Sequence, residues 1–70
     1  MSGVVKVIEL IAESDQGWEE AARNAVREAA KTVKGLKSIW VDNMTATVQG
    51  DRIVSYRVNA KISFVVEPSR

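Results

Sequence analysis

Residues Lys37 to Val66 read as one long β-hairpin, folded at Gln49-Gly50-Asp51-Arg52, and no other feature constrains the fold of this chain as strongly. At roughly 3.3 Å per residue, a strand from Arg52 to Val66 extends about 50 Å. A compact globule of this length has a radius of gyration of about 11 Å and hence a diameter of about 28 Å. The strands must therefore overhang the core, curl tightly, or be completed by other copies of the chain. The 70 residues include no cysteine and no histidine. Neither a disulfide nor an imidazole-held metal can staple a fold that buries only about 60% of its unfolded surface. A zinc site would need carboxylates alone, so oligomerisation is the staple that remains.

The rest of the chain predicts a partner for the hairpin. Val4 to Ala12 is rich in Val, Ile and Leu and reads as a strand, with Ile8, Leu10 and Ala12 as its core face because Glu9 and Glu13 alternate with them. Ser14 is placed as the N-cap of a helix, with Asp15 and Glu19 near the positive end of its dipole. Trp18, Ala21, Ala22, Ala25, Val26, Ala29 and Val33 then recur at three and four residues, the stripe of an amphipathic helix. This face is mostly alanine, which lets the helix axis approach a sheet closely. Gly35 is expected as its left-handed cap, with Lys31 and Lys34 suited to the helix C-terminus.

Along the hairpin, Ile39 and Val41 are odd-numbered while Met44, Ala46 and Val48 are even. A regular strand cannot turn both sets to one face, so a β-bulge is predicted near Asp42-Asn43. The last strand alternates cleanly. Val54, Tyr56, Val58, Ala60, Ile62, Phe64 and Val66 form the inner face, and Ser55, Arg57, Asn59, Lys61 and Ser63 the outer one. Glu67-Pro68-Ser69-Arg70 ends the strand, because proline cannot continue a ladder. The expected fold class is α+β: a single domain over residues 1–70, ordered β-α-β-β, with a three-stranded antiparallel sheet partly wrapped around one helix.

Composition excludes several functions. Ten basic and nine acidic residues are interspersed, for a net charge of +1, and no polybasic block provides a footprint for nucleic acid. The N-terminus enters a strand pattern without a cleavable signal, and no apolar run reaches membrane-spanning length. The expected compartment is cytoplasmic. With neither Cys nor His, a triad-like nucleophile and base cannot be assembled, and the lone Gly50 in its turn cannot cradle a phosphate. The chain is not expected to be an enzyme.

Two outer-face residues, Trp40 and Arg57, carry the binding expectations read from the pattern. Trp40 lies on the face away from the helix if Ile39 and Val41 point inward, and it serves there either as a buried subunit contact or as a stacking platform for a flat ligand. Arg57, with Lys61 along the same face, suits a phosphate or carboxylate; its alternative role is a cross-strand ion pair, for instance with Asp42. Glu13, Asp15 and Glu19 gather near the strand-to-helix junction. They read chiefly as helix-dipole compensation, with calcium binding the minor alternative because the EF-hand order is missing.

The run Val7-Ile8-Glu9-Leu10-Ile11-Ala12-Glu13-Ser14, then Gly17-Trp18-Glu19-Glu20-Ala21-Ala22, then the hairpin through Tyr56-Arg57-Val58 to Ser63-Phe64 resembles the dodecin family over almost the whole chain. The resemblance implies twelve protomers in a hollow sphere of tetrahedral symmetry, a homododecamer. It also implies flavins, FMN or riboflavin, sandwiched at subunit contacts by a tryptophan early in the second strand and held at their edge by a glutamine after the third-strand tyrosine. Such proteins store or buffer flavin, whereas members without the stacking residue are linked to calcium or to shell formation alone. In this chain the stacking position falls on Ser38, and Arg57 follows Tyr56. Ser38 cannot stack, and a guanidinium donates hydrogen bonds but accepts none. The resulting expectation is a non-catalytic shell that sequesters a small molecule through Ser38, Trp40 and Arg57, with flavin the first ligand and calcium or a purely structural role the alternative.

Overall fold

The computed structural model describes residues 3–66; the strand end expected at Glu67-Pro68 lies outside them. Strand β1 spans Val4–Ser14, helix α1 Trp18–Ala30, β2 Leu36–Gln49 and β3 Arg52–Val66. The sheet order is β1-β3-β2 with both pairings antiparallel, so the hairpin's second strand is central. This is the β-α-β-β, α+β arrangement expected from the sequence.

The hairpin closes on Gly50-Asp51, with Gln49 opposite Arg52. Gly50 has a φ of 64°, and no residue other than glycine has a positive φ among those described. A left-handed glycine at the first turn position alone is the pattern of a type II′ turn, whose twist matches the strands it joins.

The predicted bulge is present. Val41 pairs with Ala60 and Asn43 with Asn59, leaving Asp42 without a partner. Ile39 and Val41 therefore face inward opposite Ile62 and Ala60, as Met44 and Ala46 do opposite Val58 and Tyr56. Two further irregularities, at Lys37 and at Val54, are additional to that expectation.

Six residues make up the buried apolar core among those described: Ala21, Ala25, Ala29, Val58, Ala60 and Ile62. The three helix alanines are spaced by four and lie against the central strand, while Ile8, Leu10 and Ala12 of β1 close the core from the side. Trp18 provides bulk at the helix start. Its indole N–H donates to the carbonyl of Thr45 at 2.9 Å, and its ring meets Tyr56 edge-on at 4.9 Å between centroids.

Three expectations for the helix are corrected. Its N-cap is Gly17 rather than Ser14, and no side chain caps it. Strand β1 continues to Ser14, which pairs with Tyr56, and the Ser14 hydroxyl accepts the N–H of Gln16 at 2.9 Å in the turn that follows. At the other end the helix finishes on Lys31 in right-handed conformation. Ala29 accepts from both Thr32 and Val33, so no left-handed residue is needed there. Gly35 does have a φ of 76°, but it turns the chain into β2 and accepts the N–H of Val65 at 3.1 Å. The apolar stripe is also narrower than expected. The helix leans toward β1 and β3, leaving Val26 exposed and an open groove of about 350 Å³ toward β2, lined by Ala22, Val26 and Ile39 with Glu19, Arg23 and Arg27 at its rim.

No helix is long and apolar enough to cross a membrane among the described residues. The molecule measures 56 × 20 × 13 Å, with a radius of gyration of 14.7 Å. The hairpin overhangs the small core instead of curling around it.

Candidate functional site

The pleat sends alternate residues of each strand to the face opposite the helix, and the register stacks them in rungs. Ser38 stands opposite Ser63, Trp40 opposite Lys61, Asn43 opposite Asn59, and Thr45 opposite Arg57. On the β1 side, Val7, Glu9, Ile11 and Glu13 extend the same four rungs. This outer surface contains all three residues singled out from the sequence.

Trp40 is 64% exposed. Its cross-strand partner Lys61 places its ammonium 5.4 Å from the ring centroid, within cation–π range. The same ammonium lies 3.4 Å from a carboxylate oxygen of Asp42. The bulge brings this about, because the unpaired Asp42 lies between the Ala60 and Asn59 rungs, next to Lys61 in β3. On the adjoining rung the Ser38 and Ser63 hydroxyls are 2.6 Å apart in one hydrogen bond.

Cross-strand ion pairs of the expected kind cover this face, Lys61 with Asp42 and Arg57 with Glu13. Arg57 Nε donates to Glu13 Oε2 at 2.9 Å, because Glu13 is its rung neighbour on β1 while Asp42 is used by Lys61. Arg57 lies four residue steps from Lys61 along β3, about 13 Å. Ser38 and Trp40 therefore sit together on β2, and Arg57 stands apart at the far end of the same face.

Glu13, Asp15 and Glu19 do not converge. Glu13 binds Arg57 and Glu19 binds Arg23 at 2.8 Å. No group of three acidic side chains is placed to hold a metal ion among the described residues.

The sequence reading grouped Lys61 with Arg57 and missed its seat over Trp40. A usable signal exists. Counting outward from the Gly50-Asp51 turn pairs residue 40 with residue 61, because the extra residue of β3 at Val54 offsets the extra residue of β2 at Asp42.

Comparison with known proteins gives a consistent result. The family model described as Dodecin matches residues 4–67. Calcium dodecin of Mycobacterium tuberculosis is 31% identical over 67 residues, covering 96% of this chain and 94% of that protein; in its crystal structure, which covers 96% of both chains, the TM-score is 0.78 at 34% identity. The crystal structure of a Thermus thermophilus protein matches with a TM-score of 0.91 at 28% identity, over 97% of this chain and 100% of that one. The dodecin of Streptomyces coelicolor matches at 0.89 and 27% identity, over 96% of each chain.

Proposed function

The chain belongs to the dodecin family, and from that premise we propose that it is a non-catalytic binding protein. In this reading copies of the chain assemble into a hollow dodecamer that sequesters a flat small molecule, with FMN or riboflavin the first candidates. The observation that carries the reading is Trp40, a large aromatic ring left 64% exposed on the sheet face away from the helix. An exposed indole offers a stacking surface worth about 0.5–1.5 kcal/mol per aromatic pair beyond area burial. Ser38 at the family's stacking position offers none, so a flavin would bind displaced by two residues along β2, about 6–7 Å. Ser38 then supplies a hydroxyl beside the ring. Arg57, already paired with Glu13, contributes at the rim of the face rather than at the ring edge.

A second reading, calcium binding, draws support from the 31% identity to the calcium dodecin. Within one chain the described carboxylates do not cluster, so a calcium ion would need oxygens from more than one copy.

Titration with riboflavin and FMN, followed by flavin and tryptophan fluorescence, tests the first reading. Quenching that saturates at micromolar protein is expected, and its absence would remove flavin as the ligand. Calorimetric titration with calcium tests the second, heat of binding being expected only if the ion is taken up.

A further inference from the structure

We infer that Trp40 and Lys61 form a receptor for planar aromatic ligands that carry an anionic group, selecting a flavin phosphate over the neutral flavin, with Asp42 the counter-ion that the anion displaces. This rests on the stacking role proposed for Trp40 and specifies the ligand that role admits.

Lys61 Nζ lies 5.4 Å from the indole centroid, so the cation accompanies the aromatic surface instead of pointing away into solvent. A ring stacked on the exposed indole brings its substituents within reach of that ammonium. The counter-ion already there is weakly held: Asp42 is 3.4 Å away, and both side chains are over one-third exposed. Exposed pairs of this kind contribute roughly 0–1 kcal/mol. A phosphate, with more charge and three acceptor oxygens, displaces such a carboxylate readily.

The neighbouring rung adds neutral donors. The Ser38 and Ser63 hydroxyls are 2.6 Å apart, and in that bond only one of the two protons is used, leaving the other for an anion on the same face. Asn43 and Asn59 occupy the rung on the other side. Besides the displaceable Asp42, opposing charge comes from Glu9, which is opposite Lys61 on β1. That carboxylate places the favourable position for an anion toward the β2 side of Lys61, above Trp40 and Ser38.

Riboflavin and FMN share one ring system and differ in charge, which makes them the probes. With the full-length protein, FMN is expected to bind about tenfold more tightly than riboflavin, the increment of one added charge-assisted contact. FMN affinity should fall as salt rises while riboflavin affinity stays level, a comparison that needs no variant. Lys61→Gln should collapse the ratio of FMN to riboflavin affinity, measured in the same variant, from about tenfold to about one, and Asp42→Asn should raise that ratio. Equal affinities in the wild type with no salt dependence would overturn the anion selectivity and leave stacking on Trp40 standing. Failure of both flavins to bind would overturn the selectivity and the flavin reading together.

Discussion

Two glycines with left-handed backbone separate two effects at the scale of single residues. Gly35 has a φ of 76°, and a Cβ there would meet the Val65 carbonyl oxygen at 3.3 Å; Gly50 has a φ of 64° with open space around it. Alanine at either site carries the left-handed penalty of roughly 1–2 kcal/mol. Only at Gly35 is the crowding with Val65 added, so Gly35→Ala should lower the urea midpoint further than Gly50→Ala. Equal losses would show that the Val65 approach is immaterial. Trp18→Phe keeps the ring against Tyr56 but deletes the donor to Thr45, and a loss of about 1 kcal/mol is expected in the same measurement. Ser38→Trp combined with Arg57→Gln installs the residues that the family resemblance implies at the stacking and edge positions. Flavin binding should tighten, and unchanged affinity would show that the surrounding pocket has diverged as well. Folding should tolerate the Arg57 change, since the Glu13 pair is half-exposed and such pairs add little.

For the elements, the helix is defined by its closeness to the sheet. Ala21, Ala25 and Ala29 are buried against β3, and a larger side chain there must push the axis away. Ala25→Leu is expected to destabilise by about 1–3 kcal/mol through overpacking. Ala22→Leu, which enters the open groove toward β2, should cost much less, as thermal unfolding of the two variants will show. The Asp42 bulge is legible in the sequence because it reverses the phase of apolar residues. The irregularity at Val54 is not, since Ile53 and Val54 are both apolar and no change of phase is visible. Ser14 misled because its composition suits a cap equally well. Its pairing with Tyr56 depends on a strand distant in sequence.

Taken as a whole, the molecule is more extended than its core warrants. Its radius of gyration of 14.7 Å exceeds the roughly 11 Å of a compact chain of this length. Its accessible surface of 5393 Å² exceeds by roughly 1,000 Å² the value for a compact monomer of its mass. Val5, Val7 and Ile11 on the outer face of β1, and Met44 and Val48 on β2, are all more than half exposed. Among the described residues the buried core is four alanines, one valine and one isoleucine, a weak basis for an isolated fold. If the proposed dodecamer forms, sedimentation or light scattering should give a mass of about 92 kDa for twelve copies rather than the 7.7 kDa of one. The unfolding temperature should rise with protein concentration, as it does when assembly and folding are linked. A concentration-independent monomer would refute the oligomeric reading.

The sequence by itself determined the element order, the two faces of the hairpin and the bulge at Asp42. Each is written in spacing along one strand or helix, where the period of 2 or 3.6 couples near neighbours directly. Tertiary structure alone decided that β3 is the central strand, that the helix leans away from β2, and that Arg57 binds Glu13 while Lys61 joins Asp42 over Trp40. Those outcomes depend on register between distant segments. A shift of one residue exchanges every partner on a face, and local composition does not contain that information.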